Sequence, residues 1–397
     1  MSLSESKHQS PFSTPALSWL SADEYAVQNR RNTMEDRVLI DTSFLSKLAP
    51  LLAPSALAAV RRLDVYAVFD GHLGSRCADY ALDNVQGHLM DALVPRLARL
   101  AEEGAGEDGH HHAEEGPAAD TDMGGPADME EVEGGGRGDG GGDGAVAEGA
   151  VVEAAVAAVR EAIMRVDEEF CDDAQRLKWK DGSCALVMLV INDTAVVANT
   201  GDCRAVLVTS RDSVALSSDH TPGRQDEHDR VLDAGGEVRH STGCLRCYPH
   251  GLAVSRSLGD VRLKRPRPIL VADPEIEVLR LDPSVAGGRH QAVILATDGI
   301  WGRVSNRQAA DVVRRCRREA AMSRERAGSR DRAGSWEKLS GSPKRAMMLN
   351  QENRGGQAGS SMGGPGASAA SELANTAIKA GSTDNIGVIV LDITLAC

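Results

Sequence analysis

Short apolar runs that stop at an acidic residue are the most regular pattern along this chain. Residues 65–69 form one such run and stop at Asp70, and residues 292–297 form another and stop at Asp298. Runs this short that are apolar throughout are typical of strands buried on both faces. The same pattern predicts strands at residues 184–191, 195–199, 205–208 and 386–391. The strands at 195–199 and 205–208 flank Gly201-Asp202, which predicts a hairpin between them.

Helices are predicted between these strand clusters. Residues 152–170 carry apolar side chains at spacings of three and four, which is one face of an amphipathic helix. Other predicted helices are 75–100, with a candidate break at Pro95, then 308–322, and finally 372–380, which ends at Gly381. The order of elements favours antiparallel sheets packed between helices, an α+β fold, over a regular β-α-β alternation.

The negative charge of the chain is concentrated in one segment. The formal net charge is −14, and residues 101–150 hold 15 Asp and Glu against a single Arg. This glycine-rich segment has no apolar period, so it is predicted to be a disordered insertion. Residues 323–368, rich in Gly, Ser and Arg, are predicted to be a second one. The predicted organisation is a flexible N-terminus at 1–20 and one domain at 21–397, interrupted twice.

The composition excludes several classes of protein. No apolar run approaches the roughly 18 residues of a membrane span, and the first residues lack the layout of a secretion signal. A mildly acidic body with 3% aromatic residues argues against nucleic-acid binding. Cys244 and Cys247 could be half of a zinc site or a redox pair, but reduced thiols are the favoured interpretation. A cytoplasmic or nuclear location is expected.

Carboxylates at strand ends are candidate ligands for a metal ion. Hard cations such as Mg²⁺ and Mn²⁺ take oxygen ligands, and a strand end holds a carboxylate rigidly at an open rim. The candidate sites are Asp70-Gly71-His72, Asp298-Gly299, Asp384-Asn385 and the segment 31–36 with Arg31, Glu35 and Asp36. A single Asp-Gly pair is more often a turn. Spacing alone leaves open whether the four sites converge.

Nine sequence blocks follow one another along the chain. They are RNTMED (31–36), VYAVFDGHLG (65–74), DGSCALVMLV (181–190), ANTGDCRAVL (198–207), DHTPGRQDEHDRVLDAGGE (219–237), LAVSRSLGD (252–260), ADPE (272–275), LATDGIW (295–301) and GSTDNI (381–386). Together they resemble the metal-dependent PP2C (PPM) family of protein serine/threonine phosphatases. The resemblance implies a β-sandwich of two antiparallel sheets flanked by helices, in α-β-β-α layers.

The resemblance also implies a centre of two Mn²⁺ or Mg²⁺ ions at one end of the sandwich. Asp70 is expected to bridge both ions, with the Gly71 carbonyl as a further ligand of one. Asp298 and Asp384 are expected to hold the other. The remaining acidic positions are Glu35 and Asp36, expected to act through metal-bound waters, and Asp202, which matches a ligand of a third ion.

Two further residues are assigned roles in catalysis by the resemblance. Arg31 is expected to grip the phosphate through both arms of its guanidinium. His72 is the candidate general acid for the serine or threonine leaving oxygen. The implied reaction is attack on phosphorus by a water activated by the two metals, without a phosphoenzyme. Phosphorylated proteins are the expected substrates, and a monomer is sufficient.

Three positions depart from the family pattern. Leu73 stands where glycine is usual, Gly302 stands where the family has a third-metal aspartate, and the flap near residues 239–250 is unusual. Occupancy of the third site and substrate choice therefore stay open. The alternative is a weakly active or inactive regulatory protein on the same fold. The retained carboxylates favour an active enzyme.

Overall fold

The computed structural model describes residues 17–106, 147–281, 290–333 and 368–395. The strands are β1 (Leu17–Val27), β2 (Arg37–Asp41), β3 (Leu63–His72), β4 (Gly182–Ile191), β5 (Thr194–Thr200), β6 (Arg204–Thr209), β7 (Ser213–Ala215), β8 (Glu237–Ser241), β9 (Cys244–Tyr248), β10 (Leu258–Gly259), β11 (Glu275–Arg280), β12 (His290–Ala296) and β13 (Ile386–Leu395). The helices are α1 (Phe44–Leu48), α2 (Pro54–Ala58), α3 (Arg76–Gly106), α4 (Glu148–Leu177), α5 (Gln225–Asp233), α6 (Val261–Lys264), α7 (Asp298–Trp301), α8 (Asn306–Ala333) and α9 (Ala369–Lys379). A 3₁₀ turn, Ala49–Leu51, follows α1.

Two antiparallel sheets form the centre of the fold. The first sheet has the strand order β1-β13-β12-β6-β7, and the second has the order β11-β5-β4-β3-β2 with β10 paired to β4. Strands β8 and β9 form a separate hairpin. This arrangement confirms the predicted α+β class and the antiparallel pairing.

The sheets pack face to face and helices cover their outer faces. Along β3, Val65, Ala67 and Phe69 point toward α3 and α4, whereas Tyr66 and Val68 point toward the other sheet. Side chains alternate between the faces of a strand, so a strand covered on both sides must be apolar throughout. Helices α8 and α9 cover the outer face of the first sheet. The result is the predicted α-β-β-α layering.

The hairpin predicted around Gly201-Asp202 is wrong. Strand β5 pairs with β4 and β11 in one sheet, whereas β6 pairs with β12 and β7 in the other. The tight turn instead lies at Asn192-Asp193, where Asn192 has a φ of +54°. Gly201, with a φ of +117°, carries the chain from one sheet to the other. Gly201-Asp202 therefore connects the two sheets, and β5 and β6 do not pair with each other.

The ends of β3 and α3 also differ from the predictions. Strand β3 does not stop before Asp70 but continues through His72, because Asp70 and His72 pair with Cys184 and Gly182 on β4. Helix α3 continues through Pro95 to Gly106. A proline removes one helical hydrogen bond, and the packing of α3 against α4 holds the helix together on both sides of it.

The predicted insertions and N-terminus overlap the described elements at their edges. Strand β1 begins at Leu17, inside the predicted segment 1–20, and pairs with β13 along its length. Helices α3 and α4 extend into the segment 101–150, and α8 extends into the segment 323–368. The rest of these predicted segments lies outside the described residues. In the part of the chain that the structure covers, no helix is long and apolar enough to cross a membrane.

Candidate active site

Antiparallel pairing brings the predicted site residues to one end of the sandwich. Arg37 pairs with Phe69, so the loop before β2 lies beside the end of β3. Ala296, at the end of β12, pairs with Val388 near the start of β13 and with Arg204 at the start of β6. The residues that flank these strand ends therefore meet, as the metal-site hypothesis requires.

An open pocket of about 380 Å³ lies at this end. Its lining includes eight of the residues predicted from the sequence, namely Arg31, Glu35, Asp70, Gly71, His72, Asp202, Asp298 and Asp384. Asp36 is outside the lining, and its buried carboxylate accepts a hydrogen bond of 2.9 Å from Thr297 Oγ1. The structure thus gathers the predicted residues in one place, and their individual roles stay predictions.

The carboxylates of Asp36, Asp70, Asp202 and Asp298, called the acid cluster below, repel one another. Burial raises the pKa of Asp70 well above its usual range, and the charges of Asp36 and Asp298 raise it further. Burial, together with Asp202 and Asp384, raises the pKa of Asp298 to about 7. Burial is also the largest cause that raises the pKa of Asp36, to about 8, and that of Asp202. The protein thus concentrates negative charge where it is costly.

Glycines at two strand ends permit the close approach of backbone segments. A Cβ atom at Gly71 would lie 2.5 Å from the carbonyl oxygen of Glu35, and one at Gly299 would lie 1.9 Å from that of Asn385. Any other residue would push the strand ends apart. The glycines after Asp70 and Asp298 therefore let these backbone segments pack closely.

The loop between β1 and β2 carries Arg31 and is tied to the start of β13. Asn385 accepts a hydrogen bond of 2.8 Å from the Glu35 backbone N–H, and its Nδ2 donates to the carbonyls of Gln28 and Thr33. Sequence reasoning gave Asn385 no role beyond its place beside Asp384. Arg31 forms an ion pair with Asp384, so a predicted phosphate ligand and a predicted metal ligand are already in contact.

His72 is held by an acid that sequence reasoning missed. His72 Nε2 lies 2.7 Å from Asp260 Oδ2, and that oxygen also accepts a 2.7 Å hydrogen bond from Ser257 Oγ. Asp260 is 5% exposed. Burial lowers the pKa of His72, but the charge and hydrogen bond of Asp260 outweigh burial and raise it overall. The block 252–260 contained this acid, but nothing local linked it to a histidine 188 positions away.

The donor chemistry of the site suits hard divalent cations. Carboxylate oxygens and the Gly71 carbonyl are the ligand type that Mg²⁺ and Mn²⁺ prefer, and the raised carboxyl pKa values show that cations would relieve repulsion there. Within the described ranges, no three His, Cys, Asp or Glu side chains are close enough to enclose an ion by themselves. Mg²⁺ usually keeps several of its waters in protein sites, so the residues present fit such a partly hydrated ion.

The β8–β9 hairpin, the predicted flap, forms one wall of the pocket through Cys244 and Arg246. Arg246 is fixed within the flap by hydrogen bonds of its guanidinium to Thr242 Oγ1 and to the Gly251 carbonyl. The cysteines in the described part of the chain, Cys244 and Cys247 included, are free thiols. The assignment of this pair as reduced thiols stays a prediction.

Comparison with known sequences gives concordant matches. The family model for protein phosphatase 2C matches residues 148–333. The rice protein named probable protein phosphatase 2C 8 is 32% identical over 383 residues, covering 93% of this chain and 73% of that protein. The Arabidopsis thaliana protein named probable protein phosphatase 2C 2 is 40% identical over 157 residues. That match covers 40% of this chain and only 38% of the Arabidopsis protein.

Comparison with solved structures supports the fold alone. A serine-threonine phosphatase 2C from Toxoplasma gondii has a TM-score of 0.55 at 20% identity, covering 96% of this chain and 98% of that one. A sex-determining protein from C. elegans has a TM-score of 0.53 at 20% identity, covering 97% of this chain and 66% of that one.

Proposed function

The chain belongs to the protein phosphatase 2C family, and on that basis we propose that it hydrolyses phosphoserine and phosphothreonine in proteins in a metal-dependent reaction. The observation that carries the proposal is the pocket that gathers Arg31, His72 and the predicted metal-binding carboxylates. Chemically, such a pocket combines a phosphate-binding cation, a proton donor and an uncompensated negative region.

The carboxylates would hold two Mn²⁺ or Mg²⁺ ions. Asp70, the Gly71 carbonyl, Asp298 and Asp384 are the proposed direct ligands, and Glu35 would act through water. When bound, the ions supply a water of lowered pKa and neutralise charge on the phosphoryl oxygens. Asp202 is the proposed ligand of a third ion. The family's other aspartate for that ion is replaced by Gly302.

Arg31 would bind and orient the phosphoryl group. Its side chain is 55% exposed at the pocket rim, and its guanidinium already reaches Asp384. A planar guanidinium can donate two parallel hydrogen bonds to phosphate oxygens. Cations bound beside Asp384 would compete for that carboxylate and leave the guanidinium available for the substrate.

His72 would donate the proton that the serine or threonine oxygen needs as it leaves. An alkoxide is a poor leaving group, so a positioned acid contributes roughly 10²–10⁴-fold. With Nε2 bonded to Asp260, Nδ1 is the ring nitrogen that remains to face a substrate. Asp260 is therefore a proposed positioning residue that acts through His72.

Direct attack by water, without a phosphoenzyme, is supported by the nucleophiles that the pocket offers. No serine or threonine belongs to the lining found among the described residues. Two thiols line the pocket, Cys184 and, on the flap wall, Cys244. Burial raises the pKa of Cys184 well above the usual thiol range and keeps it protonated. A protonated buried thiol is a weak nucleophile.

The test is hydrolysis of p-nitrophenyl phosphate and of a phosphothreonine peptide by the purified chain with Mn²⁺, with Mg²⁺ and with EDTA. We expect turnover of both substrates with either ion and none with EDTA. Absence of turnover in folded, metal-loaded protein would refute the proposal and favour the regulatory alternative.

A further inference from the structure

A second, smaller pocket lies next to the active-site pocket. Its volume is about 150 Å³, and the lining includes Leu73, Lys180, His250, Asp260 and Arg262. Asp260 faces this second pocket and is bonded to His72, which faces the first. Leu73 directly follows His72 in the chain. The two pockets are therefore separated by the width of one hydrogen-bonded pair of side chains.

The second pocket carries unmatched positive charge. Lys180 and Arg262 are exposed, and neither forms an ion pair or a side-chain hydrogen bond with any residue in the described ranges. The acid in the lining, Asp260, is buried and already bonded to His72 and Ser257. By contrast, the neighbouring Arg265 forms an ion pair with Asp172. Lys180 and Arg262 are thus available to an anion that enters the pocket.

The backbone beside the pocket is held in a conformation that side chains disfavour. Leu73 has a φ of +59° and Asp260 a φ of +48°, both in the left-handed region. This region is disfavoured for residues other than glycine, more so for leucine than for aspartate. Leu73 is also 62% exposed, so its apolar side chain gains little from the fold itself. The exposed Leu73 side chain, held in this disfavoured conformation next to the proposed general acid His72, is well placed to contact a substrate.

We propose that this pocket binds an acidic residue of the substrate close to the phosphoserine or phosphothreonine that is hydrolysed. The inference rests on the proposed phosphatase function and assigns it a substrate class, phosphoproteins with an anionic side chain near the scissile phosphate. With that phosphate beside His72, the adjoining residues of the peptide pass over Leu73. Lys180 and Arg262 then meet the anionic side chain, and the His250 imidazole adds a third polar group.

The experiment compares phosphothreonine peptides that differ in one flanking residue. In a neutral alanine-rich peptide, a single glutamate is placed in turn at each of the two positions before and the three positions after phosphothreonine. We expect about a tenfold higher kcat/KM for one acidic position, mainly through KM, because both the ground state and the transition state gain the contact. The preference should shrink as the salt concentration rises.

The variant Lys180→Gln/Arg262→Gln should bring the ratio of kcat/KM for acidic and neutral peptides close to one. A matched control, Arg315→Gln/Arg318→Gln, removes two exposed charges from α8, which covers the other sheet. It should keep the wild-type ratio. Because each ratio is measured within one protein, a general loss of activity does not affect it.

Two results would overturn the inference, and they differ in what they imply for the enzyme. Metal-dependent turnover of the neutral peptide with no acidic preference, or with a preference that survives in Lys180→Gln/Arg262→Gln, would refute this pocket and leave the phosphatase proposal intact. No metal-dependent turnover of any peptide would refute both.

Discussion

The acid cluster and Glu227 place buried carboxylates in opposite electrostatic surroundings. Glu227, on α5, is 1% exposed, and its carboxylate accepts hydrogen bonds from Arg256 at 2.7 Å and from Arg230 at 2.9 Å. Burial would raise the pKa of Glu227, but these hydrogen bonds outweigh it and hold the pKa well below its usual range. In the acid cluster, burial and neighbouring acids instead raise the pKa of Asp70 and Asp298.

The difference separates a structural use of buried charge from a functional one. At Glu227, the guanidinium groups come from α5 itself and from the loop before β10, so the charge links these two parts of the fold. In the acid cluster, the protein leaves the negative charge uncompensated. Perturbed pKa values in a pocket are typical of functional sites, and divalent cations would compensate the buried negative charge here.

The largest expected effect is loss of activity in Asp70→Asn/Asp298→Asn. Amides keep the shape but cannot replace carboxylates as charged ligands, so metal-dependent hydrolysis should fall roughly a thousandfold or more. Without metal, the variant should be at least as resistant to urea as the wild type, because two repelling acids are gone. Steady-state kinetics and urea unfolding in EDTA measure both effects. The control Asp229→Asn/Asp233→Asn changes two acids of α5 outside the pocket, and unchanged hydrolysis in the cluster variant would contradict the metal assignment.

Glu227→Gln should have the opposite profile, with lower stability and retained metal binding. Removing one partner of a buried ion pair leaves the others uncompensated and costs about 3 kcal/mol of unfolding free energy. The control is Glu237→Gln, which breaks an exposed pair with Arg239 and should cost much less, because solvent screens that pair. Urea unfolding in EDTA measures both variants. Equal losses in the two would show that Glu227 is not a structural anchor.

The pH dependence of stability should differ with and without metal. The pKa values of about 7 for Asp298 and about 8 for Asp36 lie above the unfolded value near 4. The folded state therefore binds these protons more tightly, and their stabilising effect is complete below about pH 4 and lost as pH rises through 7 and 8. In EDTA, unfolding free energy should fall by up to about 1.4 kcal/mol per pH unit for each proton.

Saturating Mg²⁺ should remove this fall, because cations compensate the ionised carboxylates. Urea unfolding at pH 5, 6, 7 and 8 in both conditions isolates the effect, since groups remote from the site titrate equally in each. Asp36→Asn should reduce the difference between EDTA and Mg²⁺. A stabilisation by Mg²⁺ that does not grow with pH would show that the acid cluster is not the site of binding.

Much of the centre of the fold could be predicted from the sequence because burial on both faces leaves an unambiguous signal. The runs within β3, β4 and β12 are apolar throughout. Asp70 near the end of β3 and Asp298 after β12 line the pocket. Strands β1 and β11 were not predicted. Both carry several polar residues, and their place is set by pairing with β13 and β5 rather than by local pattern.

The candidate site shows the same division between local and long-range information. Asp70 and Asp298 are marked by an apolar run before them and a glycine after them. Asp260 and Asn385 act through contacts with distant segments, to His72 and to the loop before β2. Register between strands determines such contacts, and a single sequence does not encode register in any one motif.

Asp260 shares features with both Glu227 and the acid cluster. Like Glu227 it is buried and has a hydrogen-bond partner, but that partner is His72, the proposed general acid. In Asp260→Asn, the amide keeps a hydrogen-bonding group beside His72 but no longer stabilises the protonated ring or fixes its orientation. We expect about a tenfold loss of kcat on a phosphothreonine peptide, whose alkoxide must be protonated. Hydrolysis of p-nitrophenyl phosphate should change much less, because p-nitrophenolate leaves without a proton. Asp260→Glu, which restores the charge, should recover part of the peptide activity. A purely structural role would reduce both substrates equally and give no recovery, so the ratio of the two rates decides whether this acid acts through His72.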